Sequence, residues 1–132
     1  MGDGEKPVVG AVIWADLTVK DVDGVRDFYS QVAGWRASPV DVGGYEDFNM
    51  LPPGSDTPAA GVCQARGVNA DLPAQWLIYI VVADLDVSMA RCVELGGKVI
   101  AGPRSTGPGT RYCVIQDPAG AVCALYQAGE GP

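Results

Sequence analysis

The 132-residue chain contains no histidine. That absence excludes Ser-His-Asp and Cys-His nucleophile pairs, and it excludes an iron site built from two histidines and a carboxylate. A Gly-x-Ser-x-Gly elbow and a Walker loop are also missing, so neither a hydrolase nucleophile nor a phosphate cradle is signalled. Cations are scarce: nine Lys and Arg stand against sixteen Asp and Glu, giving a net charge of −7 and a pI near 4.3. Nucleic acid and anionic membranes are therefore not expected as partners, because the basic footprint that neutralises phosphates is missing, and a neutral or cationic partner is favoured. No apolar run is long enough for a signal peptide or a membrane span, so a cytoplasmic protein is expected. The four cysteines form no C-x-x-C pair and Cys92 falls within a helical pattern, which favours reduced, buried thiols over a disulfide framework or a zinc site.

With 48% hydrophobic and 19% charged residues, the chain has enough apolar material for the core of one globular domain spanning residues 1–132, with polar, glycine-rich ends. Its organising feature is an internal repeat. At an offset of 63 residues, segment 11–34 aligns with 74–97 without gaps, matching Val19 with Val82, Asp21 with Asp84, Asp23 with Asp86 and Gly34 with Gly97. Each copy reads as a strand, a helix and three further strands. Module one covers about 8–67, a linker about 68–74, and module two about 75–128.

Ile13, Ala15, Leu17 and Val19 alternate with Trp14, Asp16 and Thr18, which is the period of a strand with one apolar and one mixed face. Asp21 is placed to cap the next helix, with Val22, Val25, Phe28, Tyr29 and Val32 as its buried stripe and Gly34 as its stop. In the second copy Asp84 is the cap, Val87, Ala90, Val93 and Leu95 are the apolar positions, and Gly96 and Gly97 are the stop. Short strands are expected at 35–40, 45–51 and 60–65, then at 98–101, 111–116 and 122–127, the last two joined by a hairpin at 117–120. Segment 103–109 reads as an exposed connection. A lid or an anion-binding loop carried by Arg104 is the less favoured alternative, since no helix start follows it.

Strand parity selects the candidate ligand-binding residues. Trp14, Asp16 and Thr18 share one face, and Leu77, Tyr79 and Val81 share the equivalent face of the second copy. A type I turn at 117–120 puts Tyr112 and Val114 on the same face as Ala124 and Tyr126, whereas a one-residue slip would substitute Arg111 and Cys113. Of the strand 45–51, the polar set Tyr45, Asp47 and Asn49 is favoured for that face. A carboxylate inside an apolar strand is costly unless partnered, so Asp16 serves either a ligand or a structural arginine or loop cap. A competing reading has the aromatics simply filling a collapsed barrel.

Leu17-x-Val19-x-Asp21, Phe28-Tyr29 with Gly34-Trp35, Val82-x-Asp84-Leu85-Asp86 and Asp117-Pro118-x-Gly120, set in order on a matching duplication, resemble the vicinal oxygen chelate superfamily. That group includes glyoxalase I, extradiol dioxygenases and bleomycin-resistance proteins. The resemblance implies an α+β fold: two βαβββ modules in tandem, forming a curled, barrel-like mixed sheet around a cavity, often in a dimer. In metal-dependent members the first strand of each module supplies a ligand, usually His, and the last strand supplies Glu. Here the matching positions are Trp14, Leu77, Ala124 and about Gly61, which cannot hold a divalent cation. No metal and no cofactor are expected.

The chain therefore reads as a metal-independent small-molecule-binding protein of the glyoxalase and bleomycin-resistance type. The expected ligand is cationic or aromatic and is held by Trp14, Asp16, Thr18, Leu77, Tyr79, Tyr112, Ala124 and Tyr126 in an aromatic, mildly acidic cavity between the two modules, and a homodimer is expected. The alternative is a glyoxalase-like lyase or isomerase that uses acid–base chemistry or an atypical metal site. No residue is assigned a catalytic role.

Overall fold

The computed structural model describes residues 7–129. Of the polar ends expected at 1–6 and 129–132, all but Gly129 lie outside them. In chain order the elements are β1 (Val12–Val19), α1 (Val22–Val32), β2 (Arg36–Asp41), β3 (Glu46–Leu51), β4 (Ala60–Gln64), a 3₁₀ turn (Gly67–Asn69), β5 (Trp76–Val81), α2 (Leu85–Glu94), β6 (Lys98–Gly107), β7 (Thr110–Gln116) and β8 (Val122–Gln127). The fold is α+β, made of two βαβββ modules in tandem. The described residues separate into two compact units, one running from Trp14 to Trp76 and the other taking in 7–13 and 77–129.

Each unit is a helix laid on a mixed sheet, and the two sheets share one connectivity. In the first, β2 pairs antiparallel with β3, β3 antiparallel with β4, and β4 parallel with β1. In the second, β6 pairs antiparallel with β7, β7 antiparallel with β8, and β8 parallel with β5. The last strand of a module thus returns to lie alongside its first.

Both helices begin as the repeated aspartates require. The Asp21 carboxylate accepts from the Gly24 N–H at 3.1 Å and that of Asp84 from the Val87 N–H at 3.2 Å, satisfying donors that have no partner within the helix. In α2 a second such donor, the Leu85 N–H, reaches the Gln127 side chain at 2.8 Å, which ties the helix start to the end of β8.

The helix faces differ from the sequence expectation. In α1 only Val22 is fully buried, packing with Val25 and Tyr29 on Phe48, Met50 and Val62, while Phe28 and Val32 are exposed. Consecutive helical residues point about 100° apart, so Phe28 cannot share the face that Tyr29 turns to the sheet. Its ring instead meets the Tyr29 ring edge-on at 5.0 Å. In α2 the inward residues are Leu85 and Met89, whereas Val87, Val93 and Leu95 are exposed. Two apolar stripes of helical spacing coexist in this segment, and the sheet takes the one that starts directly after the cap.

Segment 103–109 also departs from expectation: β6 runs on to Gly107 with three register shifts, so Arg104 and Ser105 lie in a strand paired with β7. At 117–120 the chain makes the expected tight turn, with the Gly120 N–H donating to the Asp117 carbonyl at 2.9 Å and Gly120 at φ 92°.

Candidate functional site

Residues directly opposite one another in a ladder project to the same side, so the register states what each sheet shows on the face away from its helix. In the Trp14–Trp76 unit, α1 covers Phe48, Met50 and Val62. The other face carries Asp16 opposite Gly61, Gly61 opposite Asn49, and Asn49 opposite Ser38, with Thr18 opposite Cys63 in the next row. Asp47, two residues from Asn49 on β3, belongs to the same face. Trp14, Asp16 and Thr18 therefore do share one face, and Asp16 and Thr18 are buried although polar, at 8% and 5% exposure.

Gly61 explains how Trp14 fits there. A Cβ at Gly61 would lie 3.3 Å from Trp14 Cζ2 and 3.3 Å from Asp16 Cβ, so the indole occupies the space that a side chain on β4 would fill. Beside it Cys63 lies near the Asp47 carboxylate, which accepts from the Gln64 N–H at 2.8 Å. Burial and then the negative charges of Asp16 and Asp47 push the Cys63 thiol far above its ordinary range, so it stays protonated. This face is thus acidic and hydrogen-bonding, with one aromatic plate. The sequence places Cys63 only in a strand near the cavity expected around Asp16, and Ser38 escaped it altogether, because the cross-strand register alone sets both on this face.

In the other unit α2 covers Cys113 and Leu125. The opposite face carries Tyr79 beside Ala124 and Ala124 beside Val114, and in the next row Val81 beside Tyr126, Tyr126 beside Tyr112, and Tyr112 beside Arg104. Leu77, two residues before Tyr79, shares that face and is 1% exposed. The hairpin register is the one that groups Tyr112 and Val114 with Ala124 and Tyr126, and Arg111 and Cys113 point to the helix side. The Tyr79 and Tyr112 rings meet at 6.1 Å. Arg104, named from the sequence only as the charge of a less favoured anion-binding loop, stands on this face in a strand, because its segment reads as a loop where glycines and prolines flank it.

The positions at which metal-dependent relatives would place ligands offer no donor set. An indole N–H is a donor only, and Gly61, Leu77 and Ala124 present hydrogen, isobutyl and methyl. Among the described residues no three His, Cys, Asp or Glu side chains converge closely enough to hold a metal ion. The residues present do not fit the family's metal.

Residues 11–125 match the model of the Glyoxalase/Bleomycin resistance protein/Dioxygenase superfamily. The chain belongs to that superfamily. It is similar to the anthracycline biosynthesis protein DnrV of Streptomyces peucetius, with 34% identity over 124 residues that make up 94% of this chain and 44% of that protein. It is also similar to the putative glyoxylase CFP32 of Mycobacterium tuberculosis (strain CDC 1551 / Oshkosh), with 29% identity over 118 residues, 89% of this chain and 44% of that protein. The chain thus spans less than half the length of these curated relatives. Among solved structures, methylmalonyl-CoA epimerase from Mycobacterium tuberculosis superposes with a TM-score of 0.53 at 18% identity, over 91% of this chain and 88% of that one. A superfamily member from Vibrio splendidus 12B01 superposes with a TM-score of 0.57 at 14% identity, over 87% of this chain and 97% of that one. Identities this low speak for the fold alone. Among the described residues no helix is long and apolar enough to cross a membrane.

Proposed function

We propose that this chain is a metal-independent small-molecule-binding member of the superfamily, taking a cationic or aromatic organic ligand on the helix-free faces of its sheets, as a homodimer in the cytoplasm. The observation that carries this reading is the make-up of those faces. One bears Trp14, Asp16, Thr18, Asp47 and Asn49, and the other bears Leu77, Tyr79, Tyr112, Ala124 and Tyr126. Ring surfaces with a few polar groups suit an organic ligand, whereas indole, isobutyl, methyl and hydrogen at the ligand positions do not suit a metal ion. Relatives named for anthracycline biosynthesis support an aromatic ligand class.

A second reading, acid–base chemistry in a lyase or isomerase, draws on one observation: two carboxylates, Asp16 and Asp47, share one sheet face, and Asp16 is buried. A carboxylate on such a face accepts a proton from a substrate bound within hydrogen-bond reach of it.

The test is elemental analysis of protein purified without chelators, with thermal-shift titrations against Zn, Ni, Mn and Fe(II) and against berberine, a planar cationic aromatic. The expected result is no stoichiometric metal, no metal-dependent shift, and a berberine-dependent rise in Tm that Trp14→Ala or Tyr79→Ala reduces. About one metal per chain, with stabilisation growing with its concentration, would overturn the reading.

A further inference from the structure

Six arginines lie within the described residues, and five are engaged. Arg26, Arg36, Arg91 and Arg111 each pair with a carboxylate, and Arg66 lies over the Tyr45 ring at 4.0 Å. Arg104 has no carboxylate or ring partner among the described residues. In a chain of net charge −7, an arginine left over in this way is conspicuous, because carboxylates are abundant. Its place in the fold is also specific. β6 is the outer strand of its unit's four-stranded sheet, and Arg104 stands opposite Tyr112, which stands opposite Tyr126, on the face that also carries Tyr79. The next arginine in the unit, Arg111, is on the helix side and is held by Asp86.

We infer that Arg104 is a specificity-determining residue for an anionic group on an aromatic ligand, the ring lying against Tyr79, Tyr112 and Tyr126 and a carboxylate or ionised phenol meeting the guanidinium at the sheet's edge. This rests on the reading above that the tyrosine face takes a ring, and adds the sign of the charge that accompanies it. Three features support the assignment. The guanidinium is planar, always charged, and able to grip a carboxylate with two parallel hydrogen bonds. Tyrosine rings give a flat apolar surface that does not itself choose between charged and neutral ligands. The edge position leaves Arg104 exposed, so it can turn to a ligand without breaking an ion pair.

The test is titration calorimetry with two probes of the same shape, anthraquinone-2-carboxylate and anthraquinone-2-carboxamide, on wild type, Arg104→Gln and Arg104→Lys. Amide NMR shifts at Tyr79, Tyr112 and Tyr126 locate the binding, and thermal melts check that the variants stay folded. Wild type should prefer the carboxylate by about fivefold, the size of an exposed ion pair, and high salt should shrink the preference. Arg104→Gln should abolish the preference and keep the carboxamide affinity, and Arg104→Lys should retain part of it. If the carboxamide binds at the tyrosines but the carboxylate is no tighter, or Arg104→Gln leaves the preference intact, the role of Arg104 is overturned and the aromatic reading stands. If neither probe binds at the tyrosines, both are overturned.

Discussion

Arg111 of β7 and Asp86 in the first turn of α2 are joined by two hydrogen bonds, Nη1 to Oδ2 at 3.1 Å and Nη2 to Oδ1 at 3.0 Å. Hydrogen bonding to the guanidinium holds the Asp86 carboxyl below its usual range. A carboxyl with a depressed folded pKa contributes stability above its unfolded value, about 3.9, and that contribution fades as pH falls through the lower folded value. In Arg111→Gln the Asp86 carboxyl should titrate at higher pH than in the wild type, followed by NMR of its carboxyl carbon. An unchanged titration curve would show that the pair is not formed in solution.

Gly97 has no room for a side chain. A Cβ there would lie 2.7 Å from Cys92 Sγ and 2.8 Å from the Gln116 carbonyl oxygen. Gly97→Ala should cost about 1–3 kcal/mol in urea denaturation, as overpacking does. The double variant Cys92→Ala/Gly97→Ala should recover only part of it, because the backbone carbonyl remains in the way. Full recovery would mean that the thiol was the sole obstacle.

Trp76 Nε1 donates to Tyr29 Oη at 3.1 Å within a cluster that includes Trp35, whose ring lies 5.8 Å from that of Trp76. Trp76→Phe should lower stability by about 0.5–1.5 kcal/mol beyond its loss of packing. In a Tyr29→Phe background that extra loss should vanish, and a double-mutant cycle measures the difference.

Burial pushes the Cys113 thiol up to about 11, and burial with two nearby carboxylates pushes Cys63 up as well. At pH 8 both should resist iodoacetamide in the folded protein and react fully in urea, read by mass spectrometry of peptides. Asp47→Asn removes one of the charges and should speed labelling of Cys63. Because the folded pKa values lie above the unfolded ones, the stability these thiols contribute is complete below about pH 8.5 and declines as the unfolded chain ionises above it. For Cys113 that decline runs up to about pH 11.

The repeat, both aspartate caps and the alternation along β1 were legible because each is a local pattern that physics reads one residue at a time. The matching end of β8 onto β7 was legible too, because a four-residue turn with Gly120 at positive φ fixes the register that follows. What could not be read was which of two apolar stripes α2 would bury, since Val87 and Leu85 differ only in what they meet. That Cys63 lies in a strand near Asp16 was legible, but its partner was not, because parallel pairing of β4 with β1 sets it opposite Thr18 across more than forty residues of chain. Arg104 was hidden for another reason: Gly102, Pro103, Gly107 and Pro108 signal a loop, yet bulges let β6 continue through them.

The parallel return of each last strand to its first has a consequence for how the chain is made. A sheet of the first unit lacks one of its ladders until Gln64 has been synthesised, and one of the second until Gln127 has. Contacts so distant in sequence form late and slowly, after the hairpins β2–β3 and β6–β7 that need only short loops. On the ribosome the first module can complete its ladders while the second is still being translated, so the duplication divides one slow search into two shorter ones taken in turn.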